Sequence, residues 1–328
     1  MDQNRARLVE LLGGRTVAQF ASLPSEERQA VFRTHLVQSS PAVVDEEDPP
    51  IEVDMEDNYF DTIPVMAARG ILLQPYLMGY DAIGSQLVNE ARHVYYGEND
   101  FVMRLYSLRD FILDGHGGDI QTESLASLVT GAVTIVVALN DESNMFWECD
   151  SVDSEQGDLE ADEEEEEFDP NAIDDISRDL IDPTSVHYRH GGETIARSAQ
   201  KRLQDVFHFK NAKQITLAFQ GNGLLDGSDL ATHQTIKDLS YVVKLLIDHF
   251  GDRFTVMKIL GTDDDDRFNG RVSPSRVLRS YWEVPSEDAR QSVMRGDATF
   301  EQLMQVEIEE WTKVLPSPIS EGEWKMLD

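Results

Sequence analysis

Three stretches of this sequence hold residue types whose spacing could do chemistry. The first is Gly221-Asn222-Gly223-Leu224-Leu225-Asp226-Gly227, set between a strand-like run and a helix-like run. A glycine-rich turn at such a junction can bring backbone amides against a diphosphate at the N-terminus of the following helix. Gly221, Gly223 and Gly227 are therefore the residues that would hold a nucleotide. The spacing is G-x-G-x-x-x-G, and Asp226 and Asp229 would face an anionic ligand, so the competing reading is a plain turn. The second stretch is Asp263-Asp264-Asp265-Asp266, where Asp263 and Asp265 offer hard oxygens to calcium or magnesium. These acids also fall roughly where a ribose-binding carboxylate would lie. They lack the spaced ligands and turn glycine of a calcium loop, and a solvated acidic turn has the same residues.

The third stretch places His187 and His190 three residues apart, with Glu193 three further on, a spacing that shares one helical face and suits a metal. Gly191-Gly192 interrupts any such helix, and a polar linker is the competing reading. Cys149 is the only cysteine, which excludes an internal disulfide and a thiolate cluster and fits a reducing compartment. No serine sits in a G-x-S-x-G elbow. No catalytic residue, resident metal or cofactor is expected.

Charge gives the stronger signal. The 328 residues carry a formal net charge of -34, from 62 acidic and 28 basic side chains. A chain so acidic is repelled by phosphate backbones and anionic lipid and attracted to basic partners. Neither nucleic acid nor membrane is an expected partner. The acid is concentrated: residues 150–182 hold sixteen carboxylates against Arg178 alone, and residues 45–61 hold nine and no base, together 24 of the 34 excess charges. At the centre of the longer segment stand Glu163, Glu164, Glu165, Glu166 and Glu167, the expected partner-binding residues if the segment engages a basic protein. Its apolar content is too low to offset the entropy of ordering, so disorder is expected there. No apolar core of signal-peptide length opens the sequence, and no window approaches eighteen consecutive apolar residues, which leads to an intracellular expectation, nuclear or cytoplasmic.

The elements that must position these residues follow from periodicity. Leu8, Val9, Leu11 and Leu12 mark a short helix closed by Gly13-Gly14, and Ser22 is a plausible N-cap for a second helix beginning at Leu23-Pro24. Ile51 to Met55 alternates as an edge strand or forms a loop. Helical signals run from Met66 through Tyr80 into a helix bearing Leu87, Ala91, Val94 and Tyr95, which Gly97 closes in a left-handed conformation before the strand starting at Phe101. Residues 132–139 form the most hydrophobic strand, nearly continuous and so buried on both faces. A helix over 193–209 leads to a strand at 214–220, a helix to Phe250 and a strand at 254–260, a parallel crossover unit. The remainder reads as helical over 273–281 and 300–314.

Leu23-Pro24-x-Glu26-x-Arg28, followed by an apolar helix into Glu90-Ala91 and then Tyr96-Gly97-Glu98-Asn99-x-Phe101, resembles the F-box-like N-terminal module of a large family of fungal proteins. In that family a leucine-proline-x-glutamate-x-arginine helix precedes a cysteine-arginine-rich helix, then glutamate-alanine, then tyrosine-glycine-x-asparagine-x-phenylalanine. The match covers residues 20–106, and Gly84, Ser85 and Val88 stand where the family has its cysteine and arginines. The resemblance implies an interaction module and, as an alternative role, a ubiquitin-ligase substrate adaptor. The expected architecture is α/β: an F-box-like helical module over 1–106 with an acidic insert at 45–61, then a body over 107–328. That body would be a small mixed, partly parallel sheet flanked by helices, with a disordered acidic insertion at 150–182. The expected function is non-enzymatic protein–protein interaction, with a nucleotide- or metal-dependent enzyme as the alternative from another class.

Overall fold

A computed structural model of the chain describes residues 2–44, 63–113, 125–139, 195–261 and 273–313. The segments 45–61 and 150–182, Cys149, His187, His190 and the four aspartates at 263–266 lie outside the described residues. In chain order the elements are α1 (Asp2–Leu11), α2 (Val17–Ala21), α3 (Ser25–Leu36), β1 (Ala42–Val44), α4 (Ile63–Leu72), α5 (Pro75–Met78) and α6 (Ala82–Glu98). Then come β2 (Phe101–Arg104), α7 (Ser107–Leu113), α8 (Leu125–Leu128), β3 (Ala132–Ala138), α9 (Ile195–Gln204) and β4 (Gln214–Gln220). The last are α10 (Leu230–Phe250), β5 (Phe254–Ile259), β6 (Ser275–Val277), α11 (Glu287–Arg295) and α12 (Phe300–Lys313).

The six strands pair in the order β1-β2-β3-β4-β5-β6, the first five parallel and β6 antiparallel to β5. The α/β class and the mixed, partly parallel sheet are as expected. Register makes the buried face continuous. Phe101, Val133, Ile215 and Phe254 align across four strands, Met103, Ile135, Leu217 and Val256 form the next row, and Val137, Phe219 and Lys258 the third. These side chains are buried with Leu87 and Val94 of α6, Phe111 of α7, Leu203 of α9 and Ile236 and Leu246 of α10. A single cluster of buried apolar residues runs from Leu8 to Ile308. The other face alternates with it: Val102, Thr134, Thr216 and Thr255 are only half-buried. Burial of β3 on both faces is thus confined to its centre, at Ile135, Val136 and Val137.

Several local expectations are corrected. Gly97 does not close α6, which continues through Glu98 and ends on Asn99 in extended conformation, φ -98°. The Asn99 side chain does the capping: its amide donates to the carbonyls of Tyr95 at 2.8 Å and Leu36 at 2.9 Å, and its oxygen accepts the Gln38 N–H at 2.8 Å. The helical run from Met66 to Tyr80 is two helices, because Pro75 restricts Gln74 to extended backbone and Gly79 turns the chain at φ +112°. Ser22 closes α2, a helix that Thr16 opens with a capping box, while α3 starts after Pro24 with no side-chain cap. Over 273–281 the chain forms β6 and then a tight 3-10 turn, because β5 needs a partner on its open side. The helix α11 is opened by Ser286, whose oxygen accepts the Ala289 N–H.

Candidate functional site

The loop 221–229 sits where the sequence places it, at the carboxyl end of β4 and ahead of α10. Four of its amides, however, donate to the chain itself. Gly221 donates to the Ile259 carbonyl at 3.2 Å, Gly227 to that of Leu224 at 2.9 Å, Leu224 to Asp229 Oδ2 at 3.2 Å and Ser228 to Asp226 Oδ1 at 3.1 Å. Asp229 is also the N-cap of α10, accepting the Thr232 N–H at 2.9 Å and the Thr232 hydroxyl at 2.8 Å. The chain's own carboxylates thus accept from the Leu224, Ser228 and Thr232 amides at the start of α10. Gly223 is glycine because its φ is +105° and a Cβ there would lie 2.5 Å from Asp229 Cγ.

Behind the loop stands Lys258, the third residue of a buried row and fully enclosed. Its ammonium donates to Thr232 Oγ1 at 2.7 Å and to the Asn222 carbonyl at 3.0 Å, and lies 3.8 Å from Asp229 Oδ2. In a phosphate loop a lysine meets the ligand, whereas this lysine binds the loop itself. Burial pushes the Lys258 pKa down, and the Asp229 carboxylate opposes that shift. Burial would raise Asp229, but the Thr232 and Leu224 hydrogen bonds and the Lys258 ammonium hold it below the usual carboxylate range. Tyr281 completes the clamp by donating to the Asp226 carbonyl at 2.7 Å, and desolvation pushes its pKa up to about 12. Lys258 was legible in the strand: with Phe254 and Val256 inward, period two also puts residue 258 inward.

The motif residues near the N-terminus form a second constellation, and it is structural. Arg28, buried, grips Glu90 through Nη2 at 2.5 Å and Nε at 2.8 Å, and its Nη1 donates to the Ala21 carbonyl at 3.1 Å and to that of Leu23. The two halves of the motif, 62 residues apart in sequence, are thereby one contact. The Arg28 hydrogen bond is the main reason Glu90 is held below the ordinary glutamate pKa. Tyr96 and Phe101 pack with Phe111 at centroid distances of 5.7 and 5.3 Å. Leu23 packs against the core, Pro24 precedes α3 and Glu26 lies in its acidic first turn. At Gly97 the carbonyl accepts the Thr130 hydroxyl at 2.6 Å.

Next to Asn99, Asp100 accepts the Ala132 N–H at 2.6 Å and the Lys213 ammonium at 3.2 Å, so one carboxylate ties together the starts of β2, β3 and β4. The Ala132 hydrogen bond leads in holding the Asp100 pKa low. Among the described residues no group of three or more His, Cys, Asp or Glu is placed to hold a metal ion, and no helix is long and apolar enough to cross a membrane. Among the described residues the five parallel strands follow chain order without a reversal. No family model, curated protein or solved structure matches the chain.

Proposed function

We propose that this chain is a non-enzymatic interaction protein that engages a basic protein partner through its acidic connections. The observation that carries the reading is the distribution of charge: 24 of the 34 excess negative charges lie in two connecting segments. Such segments attract cationic side chains within about a Debye length and repel nucleic acid and anionic lipid. Groups that chemistry would need are engaged within the chain, since four amides of the glycine loop and the Lys258 ammonium bond to its own oxygens. In this reading residues 1–106 are the F-box-like module and 107–328 the body, the segment 150–182 is a disordered acidic insertion, and the protein works inside the cell, in nucleus or cytoplasm.

The test is binding of a lysine-rich peptide to the full chain and to a chain lacking residues 150–182. The deletion should leave the melting temperature nearly unchanged and abolish most of the salt-sensitive binding. A large loss of stability, or unchanged binding, would overturn the reading.

Exposed Tyr76, Tyr80 and Ile83, on and between α5 and α6, favour a second reading in which the N-terminal helices dock on a ubiquitin-ligase adaptor. Absence of the adaptor from a clean affinity purification would remove it.

A further inference from the structure

Strand β6 is the edge of the sheet beyond β5, and among the described residues no strand pairs with its outer side. The ladder shows which of its main-chain groups are already bonded. Leu278 donates to the Val256 carbonyl at 2.8 Å and Leu260 to the Pro274 carbonyl at 2.9 Å, so the antiparallel alternation makes Arg276 and Lys258 the hydrogen-bonded pair between them. Ser275 and Val277, opposite Ile259 and Met257, take the non-hydrogen-bonded positions. Their N–H and C=O groups therefore point away from β5 along an exposed edge, and no described residue bonds to them. Pro274, with no N–H, precedes this ladder, and Leu278, at ψ 1°, turns the chain out of it.

The side chains beside these groups differ between the two faces. Arg276 lies opposite Lys258 and leaves on the same face, where its guanidinium is 3.9 Å from Glu301 Oε2, with both side chains well exposed. That distance is beyond hydrogen-bond length, so Arg276 is not committed to Glu301. Val277 lies opposite Met257 on the other face and is 57% exposed. The edge is short, so main-chain bonds alone would hold any strand weakly, and Arg276 and Val277 supply the choice. A second copy paired about a two-fold axis at Arg276 would set that arginine against its own counterpart, between chains of net charge -34. Like charges directly opposite destabilise a strand pair, whereas a carboxylate opposite Arg276 has the matching sign.

We infer that the outer side of β6 receives an extended segment of a protein partner as an added antiparallel strand, with an apolar residue opposite Val277 and an acidic one opposite Arg276. Main-chain hydrogen bonds to Ser275 and Val277 hold the segment, and the two side chains select it. The inference is independent of the basic-partner reading, since every group it uses lies on β6 or α12. Failure of one therefore leaves the other standing.

The probes are three end-blocked synthetic peptides: alternating valine and glutamate, the same with glutamine for glutamate, and the valine-glutamate peptide N-methylated at its valines. Binding to the full chain is measured at about 0.15 M salt, where a screening length of about 8 Å removes most of the long-range repulsion, with melting temperature as the folding control. R276Q should weaken the valine-glutamate peptide about tenfold and leave the glutamine peptide within about twofold, and E301Q, which removes the competing carboxylate, should strengthen the valine-glutamate peptide. V277P removes an outward N–H and no bond to β5, and should abolish binding of both. The N-methylated peptide should not bind. Unchanged valine-glutamate binding in R276Q or V277P, undiminished binding of the N-methylated peptide, or no binding of the valine-glutamate peptide to the intact chain overturns the docking edge. Dimers of the chain that V277P splits would overturn it in favour of a second copy.

Discussion

Asp229 and Lys258 lie 3.8 Å apart but have unequal support. Asp229 keeps the Thr232 and Leu224 donors if the lysine is removed, whereas Lys258 is fully buried and has no other carboxylate beside it among its described contacts. D229A should therefore cost about 3 kcal/mol or more, from a lost helix cap and an uncompensated buried ammonium, and K258M distinctly less. Urea unfolding of the two variants checks the order, and equal losses would contradict it. Because the folded Lys258 pKa lies below that of an unfolded lysine, the unfolded state binds more protons in that window, and stability rises with pH towards about 10.5. K258M should flatten that rise. Glu90 has a linkage of the same sign in the acid range: its lowered pKa gives stability that is present above about 4.5 and lost as pH falls through the folded value. R28A should cost about 3 kcal/mol and E90Q should blunt the acid loss, both readable by urea titration at several pH values.

At the scale of elements, Gly97 separates two accounts of the α6 terminus. A glycine needed for a left-handed cap would resist replacement, but here it lies inside the helix and a Cβ would meet only the Leu128 carbonyl at 3.6 Å. G97A should be neutral or stabilising by up to about 1 kcal/mol in thermal denaturation, and a clear loss would restore the left-handed reading. G223A, by contrast, should destabilise, since its backbone is left-handed and its Cβ site is filled by Asp229. Elements whose own side chains decide them were legible in sequence: β3 from Ala132 to Ala138 by its β-branched run, and α10 by its apolar period. What was not legible depends on partners distant in sequence. Ser275-Arg276-Val277 is polar and short, and becomes a strand only because β5 pairs with it. The Asn99 cap draws on Leu36 and Gln38, more than 60 residues away. The α11 start was readable, from Ser286 followed by Glu287 and Asp288, but has too little apolar pattern behind it.

At the scale of the molecule, a sheet whose five parallel strands follow chain order has all their carboxyl ends along one edge. The acidic segment 45–61 is joined to the carboxyl end of β1, and the one at 150–182 lies in the connection that follows β3. The glycine loop, read in sequence as a phosphate cradle or a plain turn, becomes the clamped floor of that edge. The measurement that bears most directly on the basic-partner reading is photo-crosslinking of a lysine-rich peptide, carrying a photoreactive group, to the full-length chain, with the attachment sites mapped by mass spectrometry. Attachments on residues 45–61 and 150–182 are the expected result; attachments concentrated around Tyr76 and Tyr80, or around Lys210, Lys213 and Arg253, would contradict it.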